Sequence, residues 1–284
     1  MLTVLESINL SAKYLSEKGI ESSRLNAEML LAEILKCKRL DLYLKYDRPL
    51  TEDETRQYRN FISRRSKSEP LQYIVGKVEF YGIEFSVNPS VLIPRQETEI
   101  LVDIIIAKHK TDNNLSILDV GTGSGIIPVC LVKNLHQVQI TATDISESAI
   151  STAKYNAEQN NASEQIEFVI NDILKDKIDY AGKFDIVVSN PPYVSLNEYR
   201  SVQPEIKNHE PDVAVTDYGD GYTFYKSICS TAKDILKENG RIYFELGEGQ
   251  SGKVDEIMKN SGFAEREITK DYLGIDRVIC GVKI

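Results

Sequence analysis

Beyond Pro94 the chain repeats one pattern: a short apolar run, a turn, a helical stretch, then another apolar run. The runs lie at 116–120, 139–143, 166–170, 184–189, 240–246 and 277–282. Strands that alternate with helices in this way specify a doubly wound α/β sheet, with ligands expected where the strands end. The first part of the chain reads differently. Val4, Ile8, Ala12 and Leu15 recur at helical spacing ahead of Gly19, a helix stop, and Ala27, Leu30, Leu31, Ile34 and Leu35 make the apolar stripe of a second helix. Thr51, followed three residues later by Glu54, has the form of a capping box that opens another helix. Residues 1–70 are therefore expected to form a small helical domain. The basic run Arg64-Arg65-Ser66-Lys67 near its end is read as a solvated helix terminus in preference to a contact with an acidic partner. From 71 to 93 the period changes. Tyr73, Val75, Val78, Phe80, Tyr81, Ile83, Phe85 and Val87 fall in short β-prone runs broken by Gly76 and Gly82, which predicts a β-hairpin linker. Residues 94–284 then make the α/β domain.

A chain of 284 residues can bury the cores of one large and one small domain without disulfides or metal. At 42% hydrophobic and 27% charged it has the composition of a soluble globular protein, and no window approaches the roughly 18 uninterrupted apolar residues of a membrane span. The start, Met1-Leu-Thr-Val-Leu-Glu6, shows no basic leader followed by an apolar block, so a cytoplasmic location is expected. Cys37, Cys130, Cys229 and Cys280 lie far apart with no matching histidine spacing; free thiols and no metal are expected. The net charge of −9 opposes approach to a phosphate backbone and favours a protein or small-molecule partner over nucleic acid. A monomer is expected.

The sharpest local signal is Ile117-Leu-Asp119-Val-Gly121-Thr122-Gly123-Ser124-Gly125-Ile-Ile, a buried strand running into a glycine-rich turn and a helix that begins near Ile126. Glycine lets backbone approach a ligand closely, and the helix N-terminus offers free N–H groups to a carboxylate. The spacing departs from the dinucleotide fingerprint G-x-G-x-x-G. Asp144 ends the next strand, where a carboxylate can accept hydrogen bonds from both hydroxyls of a ribose; its other reading is a helix cap. Asp172 and Ile173 follow the third strand, where related folds contact an adenine, although a turn explains Asn171-Asp172 almost as well.

The fourth strand stops at Ser189-Asn190-Pro191-Pro192-Tyr193. Two prolines cannot continue a central strand, so this corner is held stiffly at the ligand-binding end of the sheet. An amide or aromatic amine nitrogen is a poor nucleophile because its lone pair is delocalised. The Asn190 side-chain oxygen and the Pro191 carbonyl could each accept one N–H of such a group, aiming the lone pair at a sulfonium methyl while Tyr193 packs on the flat face. The product nitrogen is acidic enough for water to take its proton. No histidine is placed to act as a base.

Asn-Pro-Pro-Tyr serves adenine-N6 DNA methyltransferases and protein-glutamine N5 methyltransferases alike, since both substrates present a planar NH2. Other segments distinguish them. Pro70-Leu-Gln-Tyr-Ile-Val-Gly76, Glu79-Phe-Tyr-Gly82 and Val91-Leu-Ile-Pro94-Arg95-Gln96-Glu97-Thr98-Glu99 resemble the HemK/PrmC family of release factor glutamine methyltransferases. So do His209-Glu210-Pro211, Gly219-Asp-Gly221, Glu245-Leu-Gly247 and Gly274-Ile-Asp276-Arg277, in the family's order. The resemblance implies a five-helix amino-terminal domain that helps hold the release factor, the hairpin, and a class I (Rossmann-like) seven-stranded domain whose last strand is antiparallel. It implies S-adenosylmethionine as methyl donor, with S-adenosylhomocysteine as product, and as substrate the glutamine of the Gly-Gly-Gln loop in class 1 peptide chain release factors. Gly121, Thr122, Gly123, Ser124, Gly125 and Asp144 would bind the cofactor, Asn190 and the softer Asp172 and Ile173 with them. Asn190, Pro191, Pro192 and Tyr193 would hold the glutamine, and residues 95–98 would lie beside the cofactor. Gln96 stands where proline is common, and Ile173 where some members carry an aromatic residue that stacks on adenine. A DNA adenine methyltransferase would be expected to carry a basic target-recognition region, and none is visible. A non-catalytic cofactor-binding module would have no need of the carboxamide clamp.

Overall fold

The structure, a computed structural model, describes residues 1–176 and 182–284. Residues 1–77 with 203–209 make one compact unit, and residues 78–202 with 210–284 make a second.

The first unit is helical: α1 (Val4–Glu17), α2 (Ser23–Ile34), α3 (Asp41–Leu44), α4 (Glu52–Arg65), α5 (Leu71–Val75), and the separate short helix Pro204–His209. The helices α1 and α4 open on reciprocal capping boxes, Thr3 with Glu6 and Thr51 with Glu54. Their apolar stripes meet in one core of Val4, Ile8, Leu15, Leu30, Leu31, Tyr58 and Ile62. Two readings of the sequence are corrected here. Tyr73 and Val75 lie in α5 and not in a strand, because Pro70 at φ −54° and Gly76 at φ 82° bracket little more than one helical turn. Ile74 of that turn is buried in the core. Arg65 is not solvated. The residue is 6% exposed, and its guanidinium donates to Asn26 Oδ1 at 2.7 Å, the Glu69 carbonyl at 2.9 Å and Glu205 Oε2 at 2.8 Å, so the acidic partner of the basic run is internal.

The hairpin is β1 (Lys77–Phe80) and β2 (Ile83–Ser86), joined through Tyr81 and Gly82, both at positive φ (53° and 70°) as a type I′ turn requires. Tyr81 is held in that conformation by its N–H donating to Glu99 at 2.8 Å and its hydroxyl to Asp103 at 2.6 Å.

The second unit continues with α6 (Glu97–His109), β3 (Ser116–Val120), α7 (Ile126–Asn134), β4 (Gln139–Asp144), α8 (Glu147–Gln159), β5 (Ile166–Ile170), β6 (Phe184–Ser189) and α9 (Leu196–Tyr199). With Pro204–His209 counted as α10, there follow α11 (Thr223–Ile235), β7 (Leu236–Glu245), α12 (Ser251–Asn260), β8 (Phe263–Lys270) and β9 (Asp276–Lys283). The sheet order is β5-β4-β3-β6-β7-β9-β8; β3 to β7 are parallel and β9 runs against both its neighbours. Strand residues alternate between two cores. Ile117, Ile186, Val188 and Tyr243 face one with Leu101, Ile105 and Leu131, while Leu118, Val187, Ile242 and Phe244 face the other with Tyr225, Ile228 and Met258.

Six strands were readable as apolar runs; β8 was not, because it is an edge strand whose residues beyond Phe263 and Ala264 are largely polar and exposed. The strand β7 also begins before Gly240. Leu236 pairs with Phe184 and the ladder then skips to Arg241 opposite Ile186, bulging across Lys237-Glu-Asn-Gly240.

Replacing Thr51 by Ala removes the hydroxyl acceptor of the α4 capping box and is expected to lower stability by about 1 kcal/mol. A urea titration followed by circular dichroism should show an earlier midpoint with unchanged slope.

Candidate active site

The register of the parallel strands brings the ends of β3, β4, β5, β6 and β7 level. Ile170 pairs with Asp144, Thr143 with Val120, Val120 with Ser189, and Ser189 with Phe244. One residue further along, the glycine turn leaves β3, Asn190 leaves β6 and Glu245 closes β7. Because β4 lies on one side of β3 and β6 on the other, the strand order reverses at β3, the position at whose carboxyl ends sheets of this kind bind ligands.

Within the turn, Gly121, Gly123 and Gly125 all have positive φ (77°, 55° and 80°). A Cβ on Gly121 or Gly123 would meet nothing within 4 Å, whereas one on Gly125 would lie 3.0 Å from Ala153 Cβ. The first two glycines thus leave open backbone, and the third lets α7 and α8 pack. The N–H groups of Gly121 and Thr122 both donate to the Thr143 carbonyl at 2.9 Å, binding the turn to the end of β4. Thr122 and Ser124 are buried. Asp144 accepts from Gly123 N at 2.9 Å and from Ser146 N at 2.9 Å, so it ties the turn and starts α8 at once. Burial raises its carboxyl above the ordinary range. Asp172 has both oxygens engaged, one by Leu174 N at 3.0 Å and one by Lys175 Nζ at 2.8 Å, the arrangement of a turn; the lysine holds its carboxyl low. Ile173 packs against the second sheet core.

Asp119, read in the sequence only as part of the motif, is fully buried, and neither carboxylate oxygen has a hydrogen-bond partner among the described residues. Burial, opposed by the nearby Thr122 side chain and assisted by the charge of Asp144, pushes its carboxyl up to about 7. An unpaired buried carboxylate is costly and suits a cationic ligand group.

At the end of β6, Asn190 Nδ2 donates to Thr98 Oγ1 at 3.1 Å, and the Thr98 hydroxyl donates to Glu245 Oε2 at 2.6 Å. The Tyr193 hydroxyl donates to the other oxygen, Glu245 Oε1, at 3.3 Å. Thr98 and Glu245 are each 1% exposed. Among the described residues nothing donates to Asn190 Oδ1 or to the Pro191 carbonyl. Behind the corner, Gln250 Nε2 donates to the Tyr193 carbonyl at 2.8 Å while Gln250 Oε1 accepts from Gly247 N at 3.2 Å. A Cβ on Gly221 would come within 2.6 Å of the Tyr193 carbonyl, and one on Gly247 within 2.9 Å of the Tyr193 ring. These glycines therefore fit against the corner. Arg95 pairs with buried Glu210 at 2.5 Å, and Glu210 also accepts from Ile93 N at 3.1 Å, which anchors the segment leading to Thr98.

Sequence reasoning gave Glu245 and Thr98 no chemical role. The available signal was a carboxylate closing an otherwise apolar strand, Ile242-Tyr243-Phe244-Glu245, beside the strand that carries Asn190.

A family model for the PrmC N-terminal domain matches residues 6–76, and one for the methyltransferase small domain matches residues 96–208. A release factor glutamine methyltransferase from Fusobacterium nucleatum is 39% identical over 280 residues, covering 98% of this chain and 78% of its own. One from Bacillus subtilis is 38% identical over 287 residues, covering 99% and 98%. The structure of a methyltransferase from Pyrococcus furiosus is similar with a TM-score of 0.52 at 19% identity, over 81% of this chain and 98% of that one; this likeness is one of fold.

Gly125→Ala should destabilise the protein more than Gly121→Ala. Both impose the left-handed cost of roughly 1–2 kcal/mol, and only the first also collides with Ala153. Thermal unfolding of the two variants side by side measures the difference.

Proposed function

The chain belongs to the release factor glutamine methyltransferase family, and from that premise we propose that it methylates the N5 side-chain nitrogen of the glutamine in the Gly-Gly-Gln loop of class 1 peptide chain release factors. It is an S-adenosylmethionine-dependent methyltransferase with a Rossmann-like α/β fold. The observation that carries the substrate reading is the state of the Asn190 amide. One N–H of its NH2 goes to Thr98, and Thr98 is itself committed as a donor to Glu245, so the oxygen of Asn190 is left as an acceptor turned away from that pair.

The residues present fit the methyl donor. Open backbone at Gly121 and Gly123 gives a close approach, and Asp119 offers an unpaired buried charge to its ammonium group. Asp144 at the end of β4 is assigned to the ribose hydroxyls. When bound, S-adenosylmethionine supplies a methyl group on a positively charged sulfur. Asn190 Oδ1 and the Pro191 carbonyl each accept one N–H of the glutamine amide, which turns the nitrogen lone pair out of conjugation and toward that methyl carbon. Tyr193 packs on the amide plane, and Pro192 keeps the corner stiff. The two acceptor dipoles stabilise positive charge as it develops on nitrogen. The nitrogen then releases its proton to water. Asp172, whose carboxylate is paired with Lys175, and Ile173, which is aliphatic, are assigned to the adenine end. The helical unit is assigned to holding the release factor.

An adenine-N6 DNA methyltransferase would use the same corner, but the near full-length relatives are named for glutamine and not for DNA.

Transfer of labelled methyl to a purified release factor is expected, with none to its Gln→Ala loop variant and none to duplex DNA. Asn190→Ala should remove most turnover while cofactor affinity falls far less, because the contact it withdraws is chiefly the one with the acceptor nitrogen. Asp144→Ala should weaken cofactor binding by about 1–3 kcal/mol, read by calorimetric titration.

A further inference from the structure

We propose that Glu245 and Thr98 are positioning residues that decide which end of the Asn190 side-chain amide faces the substrate. The inference rests on the reading of Asn190 as the acceptor of a substrate N–H.

A primary amide is nearly symmetric in shape, so packing alone does not select between its two orientations. Hydrogen bonding does. The terminal group of the chain is Glu245, a fully buried carboxylate that, when ionised, can only accept. Thr98 must then give it its single proton, over 2.6 Å. With that proton spent, the Thr98 oxygen can only accept from Asn190, and it does so from Nδ2 at 3.1 Å. The direction of each bond is dictated by the one behind it, and Oδ1 is left pointing away from Thr98. The same carboxylate receives the Tyr193 hydroxyl, so both ends of the Asn190 to Tyr193 corner are referred to one fixed charge.

Protonation of Glu245 would reverse the order. A neutral carboxyl can donate to Thr98, Thr98 can then donate to Asn190 Oδ1, and the amide would present NH2 where an acceptor is needed. The groups facing Glu245 are Thr98 and Glu97 from α6, Tyr193 from the corner and Arg277 from β9, with the Tyr225 hydroxyl of α11 on its backbone carbonyl at 2.8 Å. Burial dominates and pushes the carboxyl up to about 7; Thr98, Tyr193 and Arg277 favour the ionised form and Glu97 opposes it.

The test is single-turnover methyl transfer to purified release factor by the full chain, with cofactor affinity measured in parallel. Thr98→Val, which keeps the shape and removes the hydroxyl, should slow the step by at least ~10-fold with cofactor affinity within about twofold, and Thr98→Ser should restore most of the rate. In an Asn190→Ala background Thr98→Val should add nothing further, since the group it orients is gone. With cofactor saturating, so that protonation of Asp119 does not limit binding, the wild-type rate should fall as pH drops through about 7, because the ionised Glu245 carboxylate is the working form, and Glu245→Gln should flatten that limb. Thr98→Val at the wild-type rate, a loss that Thr98→Ser does not recover, an additive effect with Asn190→Ala, or the same acidic limb in Glu245→Gln would each overturn the positioning role. If Asn190→Ala itself reacts at the wild-type rate, it is the amide clamp that fails and not merely its positioning.

Discussion

Everything chemical in this protein depends on the pairing of β3, β6 and β7 in one register. Val120 opposite Ser189 and Ser189 opposite Phe244 put the glycine turn, Asn190 and Glu245 at the same height on neighbouring strands. Strands lie about 4.8 Å apart, so residues 69 and 55 positions apart in sequence come within reach of one another. A register slip of one residue in β7 would turn Glu245 to the opposite face and leave Thr98 without its acceptor. The buried hydroxyl of Ser189, donating to the Val120 carbonyl at 2.7 Å, adds a side-chain tie between two of these strands at the point where the site begins.

Two buried carboxylates flank that line, and their environments separate their uses. Asp119 lies on β3 beneath the glycine turn with no hydrogen-bond partner for either oxygen among the described residues. Glu245 lies on β7 with a donor on each oxygen. Burial lifts both to about 7, but by different routes to a function: an unpartnered carboxylate suits a cationic ligand group, while a partnered one suits the fixing of its neighbours. Around the corner itself, small residues do the complementary work. Gly221 and Gly247 leave the space that the Tyr193 carbonyl and ring occupy, and Gln250 bridges that carbonyl to the β7–α12 turn.

Much of the fold was legible in the sequence. Strands buried on both faces appear as short runs rich in apolar residues, and Thr51 with Glu54 marks a helix start whatever lies around it. What escaped did so for three different reasons. The apolar residues of α5 are short enough to suit either period, and Pro70 and Gly76 decide it; β8 is an edge strand with few apolar residues to show; Arg65 looks solvated until Glu205, 140 positions away, closes on it.

For the site, the sequence determined the parts whose chemistry is local. Glycines at positive φ, an acidic strand end and two consecutive prolines constrain the backbone within a few residues of themselves, so their meaning survives without tertiary context. The tertiary structure alone decided which atom of Asn190 is left without an internal partner. That choice runs through Thr98 and Glu245, 92 positions before it and 55 after, and a hydrogen bond's direction is set only when donor and acceptor meet in space.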